Sequence, residues 1–160
     1  MMNEQKLLEG WMKWDEIVPY KQQLIEMERD LMITYHYPDW DIPWSFVESK
    51  VNELEIHLTS GNTFFWGLRD ETKLYGYYWG YISNFINRKR WNLRSIYFLQ
   101  EAKGKGFGKK SFDVAESKAR ELNCIEMATH YAVFNEVMEH TLKTSGYTPT
   151  RIEMVKSLRE

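Results

Sequence analysis

A chain of 160 residues is about the size of one domain and is long enough to bury a full core. Its formal charge of -2 provides no whole-surface field to draw in nucleic acid or anionic membrane, and no apolar run is long enough to span a bilayer. The single cysteine, Cys124, cannot close an internal disulfide, and the N-terminus lacks a signal-peptide core. The expectation is a cytoplasmic protein, one domain over residues 1–160, with no nucleic-acid or membrane partner.

In chain order, the first third reads as helical. Leu7, Leu8, Trp11 and Trp14 recur at helical spacing, Pro19 interrupts, and Leu24, Ile25, Glu28, Leu31 and Met32 resume the pattern. Residues 35–41 form a loop marked by Pro38 and two aspartates. Trp44, Val47, Val51, Leu54 and Leu58 make the apolar stripe of another helix, with Pro43 suited to its first turn and Gly61 to its end. The period then changes. Residues 63–68 are β-rich, 69–73 form a polar turn, 74–82 alternate strictly, 84–90 form a second turn and 91–99 a third strand. Helix follows over 109–122, then strand over 124–131. Asn135 is a good N-cap for a helix ending near Gly146, and 151–158 read as a final strand. Consecutive strands imply antiparallel hairpins, while the helix between strands ending at Leu99 and starting at Cys124 permits one parallel crossover. The expected fold class is α+β: a mostly antiparallel mixed sheet of about six strands flanked by helices, in the order ααβββαβαβ.

The run Lys103-Gly104-Lys105-Gly106-Phe107-Gly108 follows a strand and opens a helix. Glycines there bring backbone N–H groups together at the positive end of a helix, which is the geometry that binds phosphate. A P-loop fails twice, because Lys103 stands where its first glycine belongs and Lys110 where its hydroxyl belongs. A dinucleotide fingerprint fails by one position, with Lys109 in place of its third glycine; Glu126, about twenty residues on, keeps a weak nicotinamide reading open. A third pattern, Arg/Gln-x-x-Gly-x-Gly/Ala, fits with Lys103 in the place of Arg or Gln. Asn135, followed by Gly146 and Tyr147, supplies a later motif in the right order. On these residues the chain resembles the GNAT superfamily of N-acetyltransferases over most of its length.

The resemblance implies an acetyl-CoA site. Within the segment Lys103, Gly104, Lys105, Gly106, Phe107, Gly108 and Lys109, the amides from Lys105 to Lys109 would cradle the pyrophosphate of coenzyme A. Tyr97, Phe98 and Leu99 would pair with the pantetheine arm as an added strand does. Asn135 would bond the cofactor or steady its turn. The implied reaction is direct acetyl transfer to a primary amine, small or peptidic, with no metal. Such an amine has a pKa near 10.4, so freeing its lone pair at neutral pH costs about 4–5 kcal/mol. The base implied by counting back from Asn135 is His130, with Glu126 second by strand period. The aligned fourth-strand position is Asn92, which cannot act as a base. Leu142 stands where the family places a tyrosine acid; Tyr131, Tyr147 or His140 could replace it. The loop residues Tyr35, Asp39, Asp41 and Trp44 suit a cationic acceptor. A coenzyme A-binding sensor is the alternative to an enzyme, and exposed aromatics are consistent with a homodimer.

Overall fold

The computed structural model describes residue 2 and residues 6–159. Five strands form one sheet in sequence order: β1 (Leu8–Met12), β2 (Thr63–Arg69), β3 (Leu74–Phe85), β4 (Arg88–Phe98) and β5 (Glu126–Ala128). All neighbours are antiparallel except β4 and β5, which are parallel across the crossover helix α4 (Phe107–Glu121). The sheet is mixed and mostly antiparallel, as the alternation of residues 63–99 implies. Three helices pack on one face: α1 (Trp14–Ile17), α2 (Lys21–Leu31) and α3 (Trp44–Thr59). The other face carries α4 and α5 (Glu136–Thr144).

Strand periodicity divides the core in two. Phe65, Tyr77 and Trp79 join Leu24, Val47, Val51 and Leu54 beneath α1 to α3. Trp66, Tyr78, Trp91 and Phe98 join Phe112, Ala115, Ala119 and Leu142 beneath α4 and α5. The glycines of β3 make the second layer fit. A Cβ on Gly80 would stand 2.6 Å from the Trp91 ring, and one on Gly76 would overlap the Phe98 ring. Small residues on β3 thus leave room for large aromatics on β4.

Three sequence expectations need correction. Residues 8–12 are an edge strand rather than helix: Gly10 has extended backbone opposite Gly67, and Met12 fills the space above Gly67. Glycine is a poor helix former, and the Trp11 ring meets Phe64 and Trp91 edge-on at 6.0 and 6.1 Å. Residues 151–158 form no strand among the described residues, so the sheet has five strands; Ile152, Met154, Val155 and Leu158 stay exposed. The fifth strand is three residues long rather than spanning 124–131. Among the described residues no helix is long and apolar enough to cross a membrane.

Candidate active site

The short β5 creates an opening. On one edge β4 pairs with β3 from Arg88 to Phe98. On the other it pairs with β5 only through Arg90↔Glu126, Trp91↔Met127 and Asn92↔Ala128. At the fork the Thr129 hydroxyl makes a long bond, 3.5 Å, to the Leu93 carbonyl, and the chain then turns away to reach Asn135 at the start of α5. From Leu93 to Phe98 the second edge of β4 has no partner strand among the described residues. A cleft opens there. Its floor is Leu93, Arg94, Ser95 and Ile96; Thr129, His130 and Tyr131 form one wall with Asn135 and Met138; Leu31 and His36 form the other. Ladder register slips at this point, with Trp79 facing Ser95 and Gly80 facing Leu93, so Arg94 is the extra residue of a β-bulge.

The glycine turn adjoins the far end of that free edge, where Gly108 lies against the Phe98 ring. Gly104 and Gly106 have φ of +75° and +85°, a left-handed backbone in which a side chain is strained. Gly106 is the N-cap of α4. The first amide to bond inward is that of Lys110, at 3.0 Å from the Gly106 carbonyl. Among the described residues, the amides of Gly106, Phe107, Gly108 and Lys109 donate to nothing, and a Cβ on Gly106 would meet nothing within 4 Å. Four unused donors thus gather at the positive end of a helix, with open space beside Gly106, an arrangement that fits a diphosphate. Nearby lysines are engaged: Lys103 donates to the Tyr35 hydroxyl at 3.2 Å, Lys109 pairs with Asp113 at 2.7 Å, and Lys110 pairs with Glu9.

Of the other candidate cofactor residues, Phe98 is core, the Leu99 amide donates to the Tyr75 carbonyl, and the Tyr97 hydroxyl donates to Asp30; burial first, and then that bond, pushes the phenol well up. The Asn135 side chain accepts from the Met138 amide at 3.1 Å, capping α5 at the cleft wall.

Of the catalytic candidates, His130 is exposed on the cleft wall and Tyr131 is beside it. The Tyr131 hydroxyl also faces Glu139, whose carboxyl is held low by Lys143 first and by that hydroxyl last. Glu126 is not in the cleft. Arg90 grips its carboxylate at 2.7 Å and Arg88 approaches at 3.8 Å, because the three-residue ladder leaves it at the closed end of the strand pair. Leu142 is packed in the core, so no donor arises there. Tyr147 packs edge-on against Phe112 at 6.3 Å; its hydroxyl is buried without a hydrogen bond among the described residues, and burial pushes it up to about 12. Neither Tyr147 nor His140 lines the cleft.

None of the four loop residues chosen as acceptor contacts lines the cleft either. Tyr35 is engaged with Lys103, the Trp44 ring holds the Arg29 guanidinium at 4.5 Å, and Asp39 and Asp41 point to solvent. Their neighbour His36 does line it. The chain from Met32 to His36 makes a wide π-helical turn that defeats the 3.6-residue period and delivers the imidazole inward. Burial, and then Lys50, hold His36 below the ordinary histidine range, with Glu28 opposing. Behind this wall lies a buried network. Glu28 accepts from the Tyr77 hydroxyl at 2.7 Å and from Lys50, which also donates to Ser95 at 3.2 Å on the cleft floor. An acidic residue on the apolar stripe of α2 was the available sequence clue. No group of three or more metal-ligating side chains occurs among the described residues.

A family model described as Acetyltransferase (GNAT) family matches residues 25–147. Solved structures share the fold at low identity. A predicted acetyltransferase from Clostridium acetobutylicum, solved with acetyl-CoA, is 11% identical with a TM-score of 0.75, covering 95% of this chain and 96% of its own. A putative acetyl transferase from Pyrococcus furiosus is 19% identical with a TM-score of 0.71, covering 94% and 100%. The aminoglycoside acetyltransferase AAC(6')-Iy, bound to a bisubstrate analogue, is 14% identical with a TM-score of 0.69, covering 96% and 98%. Among curated proteins none matches the sequence.

Proposed function

The chain belongs to the GNAT acetyltransferase family, and from that premise we propose that it transfers acetyl from acetyl-CoA directly to a primary amine. One observation carries the reading. The unused amides of Gly106, Phe107, Gly108 and Lys109 gather, with open space beside Gly106, at the end of a strand edge that leads into a cleft. A diphosphate suits the amides, and an amide-bearing arm suits the edge, where residues 94–98 have no partner strand among the described residues.

When bound, acetyl-CoA supplies an acetyl group activated as a thioester, which the amine nitrogen takes as the thiolate leaves. The chain does the rest. Leu31, Leu93, Ile96 and Met138 give the cleft apolar walls that exclude water. His130 accepts the amine proton at a ring nitrogen, and the Tyr131 hydroxyl is the donor placed to quench the leaving thiolate. Asn135 keeps the turn behind His130 and Tyr131 in place by capping α5. Because Leu142 is a core residue and Tyr147 packs against the core outside the cleft, a coenzyme A-binding sensor with weak catalysis is the second reading.

The test is thermal unfolding with acetyl-CoA, NAD and ATP in parallel. A ligand at a hundred times its dissociation constant adds about 2.7 kcal/mol, which raises the midpoint by roughly 5–10 °C for a chain of this size. Only acetyl-CoA should do so; a rise with NAD instead sinks the proposal. Thiol release across an amine panel then separates enzyme from sensor.

A further inference from the structure

Four arginines lie on the strands of the sheet. Arg69 meets Glu16 at 2.9 Å, while Arg88 and Arg90 share Glu126. Arg94 is the exception. It is exposed, meets no carboxylate among the described residues, and rests its guanidinium 5.0 Å above the Trp79 ring. As the extra residue of the bulge it is aimed by the backbone, and it forms part of the cleft floor. Among the described residues no aspartate or glutamate lines that cleft; its other titratable side chains are His36, His130 and Tyr131. Lys50 stands behind Ser95, its charge matched by Glu28. The net charge presented to an acceptor is therefore positive.

We infer that the acceptor is an amine that also carries a carboxylate, as an amino acid does, and that Arg94 receives this carboxylate. The inference rests on the acetyl-transfer reading above. A planar guanidinium offers two parallel N–H donors to a carboxylate, and its stacking on Trp79 restricts it before the ligand arrives. A polyamine would bring like charge to Arg94 with no acid in the cleft to offset it. The acids of the neighbouring loop, Asp39 and Asp41, stand outside the lining.

The experiment compares leucine, phenylalanine and lysine with their carboxamides, and with spermidine, as acceptors for the acetyl-CoA-saturated protein. An amino-acid amide has the less basic amine, so proton loss alone favours the amide. A preference for the acid must therefore come from the protein. For at least one pair, kcat/KM should be roughly 10- to 100-fold higher for the acid, the range of a charge-assisted hydrogen bond. Arg94→Gln should bring that ratio to near unity, and Arg94→Lys should restore part of it. Preference for an amide or for spermidine, or a ratio that survives Arg94→Gln, overturns the inference. So does a protein that acetyl-CoA stabilises but that neither acetylates these acids nor binds them by calorimetry. A protein that acetyl-CoA fails to stabilise overturns the cofactor reading instead.

Discussion

Between Arg90 and Asn92, β4 is paired on both edges, and Arg90, with Arg88 just before it, is neutralised by Glu126 of the adjoining strand. Between Leu93 and Phe98, among the described residues, the same strand has one bare edge, an arginine without a carboxylate, and a helix N-terminus with unused amides. The two halves share a backbone and an antiparallel neighbour, β3. They differ in whether hydrogen-bonding capacity is used up within the fold. In the closed half it is, and the residues there hold the sheet together. In the open half it is left over, and a ligand is what can satisfy it. The Glu28–Lys50–Ser95 network backs the open half from the helical side, so a rigid wall stands where bonding to a neighbouring strand stops.

Substitutions can break this contrast, because closed and buried positions should cost stability while open positions should cost binding or turnover. The largest effect is expected for Glu28→Ala. It strands the Lys50 ammonium and the Tyr77 hydroxyl in a buried site, a loss of about 3–5 kcal/mol. Thermal unfolding of the ligand-free protein should then fall by about 10 °C; a fall within error would show that the wall is not a structural support. His130→Ala comes next, with turnover down roughly 10²-fold at saturating acetyl-CoA and little change in cofactor affinity. Equal turnover would make His130 a bystander and direct attention to His36 across the cleft.

Gly106→Val should be smaller but distinctive. It puts a branched side chain at a φ of +85° and fills the space before the free amides. Acetyl-CoA affinity by calorimetry should weaken by about 30-fold, or about 2 kcal/mol, with a strain cost of about 1–3 kcal/mol in the free protein. Undiminished affinity would mean the diphosphate lies elsewhere. The smallest change is expected from Glu126→Gln, whose partner arginines keep part of their exposure to water. Stability should drop by less than about 1 kcal/mol, and turnover should hold. A large loss of turnover would return Glu126 to the list of bases and blur the line between the two halves of β4.

Part of this was readable along the chain. Residues 44–58 gave a helix by their stripe, residues 63–99 gave strands by alternation, and Asn135 capped the helix foreseen for it. The glycine run announced its turn because both the left-handed backbone and the helix start belong to adjacent residues. The strict alternation expected over residues 74–82 breaks at its start. A register slip opposite Leu68 and Arg69 makes Tyr75 the extra residue, and it packs with the α4 layer while Tyr77 and Trp79 pack with the other. The acceptor loop was read from composition, and composition chose Tyr35, Asp39, Asp41 and Trp44 over the one neighbour, His36, that reaches the cleft.

The sequence by itself determined the helix stripes, the hairpins and the glycine turn that opens α4, because each depends on residues close together in the chain. The tertiary structure alone decided that residues 8–12 form a strand and that β5 stops after three residues. It also decided that Glu28 meets Lys50 and Tyr77, that Glu126 is occupied by arginines, and that Arg94 meets the Trp79 ring and no carboxylate among the described residues. Those outcomes depend on which distant segments come into contact, and periodicity along a chain records the spacing of side chains but not the partners that folding brings to them.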